Sequence, residues 1–151
     1  KKRGIFDLLI ENSKLGKPII GICLGMQMML DKGYEDGINS GLGLNKGEVK
    51  YMGEIHSDKK MIIPHVGWNF IKSNNDSFES DIFNSRQYFV HSFNATAVPF
   101  NNRLHTFNYY QKEWTASIIK ENILGFQFHP ERSGLQGLLM LDYFAKLLLK
   151  V

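Results

Sequence analysis

Cys23 is the single cysteine of this 151-residue chain, and it lies in the run PIIGICLGMQMML between Gly21 and Gly25. In most apolar runs a lone cysteine packs as a small hydrophobe. The spacing G-x-C-x-G takes on chemical meaning where a strand turns straight into a helix at one residue. Such a turn forces that residue into a strained backbone conformation, and glycines two positions to either side remove Cβ atoms that would collide. It lifts the side chain above the sheet edge and puts the sulfur at a helix N-terminus, where partial positive charge favours thiolate. Packing residue and nucleophile are both open readings at this point.

A thiolate nucleophile needs a base, and the chain offers five histidines. His56 lies in a polar stretch and His105 inside a strand pattern, so both read as surface or structural residues. His65 and His91 stay open. His129 ends the strand pattern ILGFQF and is followed by Pro130 and Glu131. Proline biases the residue before it towards extended backbone, and alternate side chains of an extended segment share a face. His129 and Glu131 are therefore expected to project together, the carboxylate orienting the imidazole and stabilising its imidazolium. Cys23, His129 and Glu131 then form a triad in chain order. Metal chemistry would compete for the same residue types, but there is no second cysteine, no H-x-x-H and no H-E-x-x-H. GLGLNKG at 41–47 precedes a strand pattern and reads as turns, not as a dinucleotide fingerprint. Neither a metal nor a cofactor is expected.

The elements that must position these residues follow an α/β pattern. GIFDLLIENSKL reads as an amphipathic helix ended by Gly16 and Pro18. PIIGI reads as a strand buried on both faces, and Leu24 to Lys32 as a helix stopped by Gly33. From GLGLNKGEVKYM to NILGFQF, short β-branched and aromatic runs alternate with Gly, Asn, Asp and Ser clusters, a pattern of strands and hairpins. IIKENILGF is expected to turn tightly at Glu121 and Asn122. The polar stretch 73–85 reads as a loop with a short helical turn. In the C-terminal GLQGLLMLDYFAKLLLKV, apolar residues at 138, 139, 141, 144, 145, 147, 148 and 149 predict a helix lying on a sheet by a wide stripe. With no repeat and no linker pattern, residues 1–151 read as one domain.

Composition narrows the partners. Hydrophobic residues make up 43%, charged residues 22%, and a net charge of +3 is spread too thinly for a nucleic-acid footprint. No run approaches the ~18 apolar residues of a membrane span, and Asp7 and Glu11 interrupt any signal-peptide pattern. One cysteine suits a reducing, cytoplasmic setting. There the acceptor-like NAT at 94–96 carries no meaning.

GICLGMQ and FQFHPE together resemble the triad, class I glutamine amidotransferases, which have a flavodoxin-like three-layer α/β fold with a central mixed sheet, flanking helices and antiparallel hairpins. GLGLNKGEV, IPHVGWN, YFVHSF and FQFHPERSG followed by GLLML narrow the resemblance to the glutaminase subunits of imidazole glycerol phosphate synthases, which serve histidine biosynthesis. The resemblance implies that Cys23 attacks the amide of L-glutamine, that His129 is base and acid, and that Glu131 orients it. It implies an oxyanion donor in the N–H of Leu24, within the elbow of Gly21 and Gly25, and glutamine contacts from Gln27, His91, Ser92 and Phe93. Val66, Gly67, Trp68 and Asn69, with Arg132, match positions that meet a (βα)₈-barrel cyclase, which receives the ammonia in a heterodimer. Gln27 as a solvated helix residue and Trp68 as a core aromatic are the plainer alternatives.

The chain also departs from that family. Phe93 stands where Tyr is common, Val66 where Met is usual and Arg132 where Lys is usual, and NATAVPFNNRLHTFNYYQKEW is less similar than its flanks. A paralogue serving nucleotide-sugar or surface-glycan amination fits the same motifs, as does a cysteine hydrolase using the same elbow. Family members begin with a βαβ portion and a glycine-rich PGVG-like oxyanion strand, and no such motif precedes residue 17, where the chain opens on Lys in a helical pattern. The expectation is a domain without those N-terminal strands. Loss of one oxyanion donor lowers rate on the order of 10² to 10³, so a partner-binding fragment of impaired activity is a further alternative.

Overall fold

Phe6, Leu9 and Ile10 recur at the spacing of one helical face, and in a computed structural model of the chain they pack helix α1 (Arg3–Lys14) against a cluster that includes Met26, Leu30, Ile118 and Ile123. The structure describes residues 3–56, 60–74 and 81–149. After α1 come strand β1 (Ile19–Ile22), Cys23 and the short helix α2 (Leu24–Met28). Then follow β2 (Lys32–Gly33), β3 (Asn39–Ser40), β4 (Glu48–Tyr51) and a single turn of helix, α3 (Met52–Ile55). The remaining strands are β5 (His65–Ser73), β6 (Arg86–His91), β7 (Phe93–Thr96), β8 (Arg103–Tyr109), β9 (Lys112–Lys120) and β10 (Ile123–Phe126). Helix α4 (Gly134–Leu149) closes the described chain.

Six strands form a mixed sheet in the order β1-β10-β9-β8-β5-β6, parallel between β1 and β10 and antiparallel elsewhere. A smaller sheet runs β3-β2-β4-β7. Alternation along β10 explains how one strand serves two cores: Leu124 and Phe126 join the cluster that holds Met140 and Phe144 of α4, while Ile123 joins the cluster under α1 and α2. Helices therefore flank the sheet on both sides, the α/β arrangement that the motifs imply. The tight turn at Glu121 and Asn122 is present, with Glu121 at φ 53°.

Four expectations change. The strand buried on both faces is β10, all four of whose residues are buried. β1 has only β10 beside it among the described residues, and Ile20 is 36% exposed. α2 is five residues long rather than nine, because the loop after it takes its carbonyls: Leu42 N–H donates to Met28 O (2.8 Å) and Leu44 N–H to Met29 O (2.9 Å). Gly33 consequently belongs to β2, paired with Val49 and Asn39, and stops no helix. α4 buries the line Gly137, Met140 and Phe144, with Leu141 and Leu148 partly covered, whereas Leu138, Leu139, Leu147 and Leu149 are exposed. A helix resting on one layer covers one line of side chains, and the predicted stripe was wider than that. Within 73–85, residues 75–80 lie outside those described, and 81–83 form a turn. No helix among the described residues is long and apolar enough to cross a membrane.

Candidate active site

The elbow forms where the spacing places it. Cys23 has φ 51° and ψ −106°, a conformation that costs on the order of 1–3 kcal/mol in a non-glycine residue. Its N–H donates to Phe126 O at 2.6 Å, fastening the turn to β10. Gly21 is opposite Gly125 in the parallel register. A Cβ on Gly21 would lie 2.6 Å from the carbonyl carbon of Gly25, and one on Gly125 would strike Met26 and Ile118. Gly25 itself has open space at its own Cβ position. The steric requirement thus falls on Gly21 and on Gly125, not on Gly25 as the motif alone suggests.

The sulfur is half-buried, 3.9 Å from Val90 O and 3.7 Å from Gln127 Nε2. Burial pushes the thiol above its ordinary pKa, more than the Leu24 backbone N–H lowers it, and the Glu131 charge adds to the rise. Expectation and structure differ here. A five-residue helix offers little dipole, so the sulfur at this elbow stays a thiol unless a base takes its proton.

His129 supplies half of that arrangement. Its Nδ1–H donates to Glu131 Oε1 at 2.7 Å. The pairing arises by a different route from the extended segment expected: Pro130–Arg132 is a turn of 3-10 helix with proline at its start. Arg132 N–H donates to His129 O at 3.0 Å and Ser133 Oγ to the same oxygen at 2.6 Å. His129 N–H donates to Tyr88 O at 2.8 Å, which fixes the residue against β6. Nε2 is buried without a hydrogen-bond partner among the described residues, so the leg from His129 to Glu131 is formed and the leg from His129 to Cys23 is not.

A cleft of about 400 Å³ opens beside the elbow, walled by Leu24 and Gln27 on one side and Tyr34, Glu35, Asp36 and Ser40 on the other. Cys23 is not itself part of the wall. Gln27 Nε2 points its two hydrogens inward, to Phe93 O at 3.1 Å and Gln127 Oε1 at 3.0 Å, so it is not a free surface residue. Phe93 stacks edge-on to Tyr51, and Ser92 O accepts from Met52 N–H at 2.9 Å.

His91 is buried with both ring nitrogens in use: Nδ1 is 2.8 Å from Phe93 O and Nε2 is 3.1 Å from His65 Nδ1. His65 in turn meets Asn69 Nδ2 at 3.5 Å. Burial lowers the His65 pKa to about 4 and that of His91 to about 3, so both rings are neutral. Neither ring nitrogen of His91 is left for an incoming ligand. Its contact with the site is the Phe93 carbonyl.

The other face of the β5–β6 pair is open. Val66 is 55% and Trp68 53% exposed, which disposes of the core reading of Trp68. Gly67 sits between them at φ 134°, and Asn69 Nδ2 donates to Asn108 O at 3.0 Å. Trp68 and Arg132 converge on Tyr88, the first edge-on at 6.0 Å and the second above its ring at 4.7 Å. Tyr88 and Val90 complete this patch and were not singled out from sequence, although their alternation opposite Trp68 and Val66 carries the signal. Gln127, Glu35 and Asp36 were missed as well. His105 is structural, its Nδ1 2.6 Å from Ser117 Oγ in the core, and His56 lies edge-on to Trp114. Asn94 of the NAT triplet is fully buried. Among the described residues no three His, Cys, Asp or Glu side chains gather as a metal site requires.

Known proteins resemble this chain in sequence and in fold. The family described as glutamine amidotransferase class-I matches residues 4–146. Imidazole glycerol phosphate synthase subunit HisH of Pyrococcus furiosus is 39% identical over 145 residues, 95% of this chain and 72% of that protein. The same subunit of Lacticaseibacillus casei is 43% identical over 147 residues, 97% of this chain and 68% of that protein. Among solved structures, one described as a glutamine amidotransferase superposes with a TM-score of 0.70 at 13% identity, over 98% of this chain and 69% of that one. A glutamine amidotransferase from Thermotoga maritima superposes with a TM-score of 0.57 at 20% identity, over 96% of this chain and 54% of that one. These two speak for the fold, and the relatives speak for the sequence. With the family pattern running through nearly the whole described length, this chain belongs to the class-I glutamine amidotransferases.

Proposed function

We propose that the chain, acting as one domain over residues 1–151, is the glutaminase subunit of an imidazole glycerol phosphate synthase in the cytoplasm. His129 Nε2 takes the Cys23 proton, and the thiolate attacks the side-chain amide carbon of L-glutamine. The tetrahedral oxyanion receives the Leu24 N–H. Collapse breaks the C–N bond as His129 returns its proton to the departing ammonia, leaving a thioester. His129 then deprotonates a water, and glutamate leaves with Cys23 restored as a thiol. Glu131 orients the ring throughout and stabilises its charged form.

The observation that carries this reading is the 2.7 Å pair of His129 and Glu131 beside a cysteine held at positive φ. The cleft supports it: Glu35 and Asp36 suit an α-ammonium group, while Gln27 lines the same cleft and donates to the Phe93 carbonyl. The patch of Val66, Gly67, Trp68, Asn69 and Arg132 is the proposed docking face for a (βα)₈-barrel cyclase that uses the ammonia for imidazole glycerol phosphate in histidine biosynthesis. Glutamate release from L-glutamine, measured with and without such a cyclase, tests it. Turnover that rises with the cyclase supports the reading, and no turnover in either condition overturns it. The unformed Cys23–His129 leg favours a second reading of the free chain, in which it binds the cyclase and stays slow until the partner completes the site. Binding without turnover in the free state and turnover in the complex distinguishes that case.

A further inference from the structure

Gln127 is fully buried, directly after β10 and two residues before His129. Its N–H donates to Ala116 O at 2.8 Å. The side chain spans two groups of the site: Nε2 donates to Cys23 Sγ at 3.7 Å and Oε1 accepts from Gln27 Nε2 at 3.0 Å. A buried amide is costly unless both of its ends are paired. Leucine or methionine would fill the same volume without that requirement. The sulfur needs such a donor, since burial disfavours its charged form and an N–H directed at a thiolate offsets part of that penalty.

We propose that Gln127 is a positioning residue for the proposed nucleophile: its amide N–H holds Cys23 Sγ in the elbow while its carbonyl fixes Gln27 at the cleft wall. Because the amide is rigid and planar, the two contacts are set together. Cys23 caps α2 and Gln27 lies one turn along it, and Gln127 reaches both from the position that follows β10. The inference rests on the reading of Cys23 as nucleophile but not on the identity of the substrate.

Cys23 is the only thiol in the chain, so its alkylation by iodoacetamide reports on one atom. The rate is followed against pH for the full chain and for Gln127→Glu and Gln127→Met, with circular dichroism as the check on folding. Gln127→Glu keeps the shape but places an oxygen where the N–H was. Its alkylation midpoint is expected to move up by about one pH unit or more. Gln127→Met should move it up by less and also raise KM for glutamine, because Gln27 loses its acceptor. A folded Gln127→Glu whose profile overlays that of the unmodified chain overturns the proposal. Should neither variant fold, the side-chain amide resonance of Gln127 in the unmodified chain decides. It must shift as the thiol titrates, and a pH-independent resonance overturns the proposal. Absence of glutamine hydrolysis in all three proteins would count against the proposed function alone, since alkylation reads the thiol itself.

Discussion

The two flanks of Cys23 are built differently. On the β10 side the contacts are closed: buried Gln127 joins Cys23 to Gln27, Cys23 N–H is fastened to Phe126 O, and Gly125 lies against Met26. On the other side His129 and Glu131 sit in a turn of 3-10 helix, Glu131 is exposed, and His129 Nε2 has no partner among the described residues. Placement of the proposed nucleophile is thus part of the folding core, whereas placement of the proposed base is half finished. Substitutions on the first flank should move stability together with rate. Those on the second should move rate alone.

The largest effect expected is from Cys23→Ala, which should abolish glutamate release while retaining binding to a barrel cyclase by calorimetry; residual turnover near that of the unmodified chain would refute the mechanism. His129→Ala should cost on the order of 10² to 10⁴ in kcat with an unchanged thermal midpoint, and a large drop in midpoint would erase the contrast between the flanks. Gly125→Ala should destabilise by about 1–3 kcal/mol, because an added methyl meets Met26 and Ile118 in a filled core. Urea unfolding measures it, and an unaltered midpoint would show the β10 flank to be softer than described. A gentler change comes with acid. Unfolded histidine protonates near pH ~6.5, whereas His65 resists until about 4 and His91 and His105 until about 3. The folded state binds fewer protons across that window, so its stability is full above it and falls as pH drops through it. Equal urea midpoints at pH 7 and pH 5 would contradict this. Smallest of all, Glu131→Gln should lower turnover by less than His129→Ala and leave stability within about 0.5 kcal/mol, as its carboxylate is exposed.

How much of this was legible depends on how local each signal is. The elbow, the β10 hairpin and the adjacency of His129 and Glu131 are set within a few residues, and spacing carries them. Gln127 meets Cys23 across 104 positions of sequence, and inside FQFHPE it looks like one polar break in an aromatic strand. The early end of α2 was hidden for the same reason, because its carbonyls are claimed by residues 42–45 and not by anything in the helix itself. Alternation in β6 did hold the signal for Tyr88 and Val90. It becomes readable only once the β5 register is known.

The buried histidines have one more consequence. A carbonyl has no hydrogen to give, so Phe93 O obliges His91 Nδ1 to carry its proton, which leaves Nε2 of that neutral ring an acceptor. His65 Nδ1 must then donate, and its Nε2 faces Asn69 Nδ2 as an acceptor in turn. Every bond in the string points the same way, from Asn69 on the covered face of β5 towards Phe93 O. Conducting a proton would require a charged ring where burial forbids one. The string is therefore a fixed set of tautomers, each neutral ring donating at one nitrogen and accepting at the other.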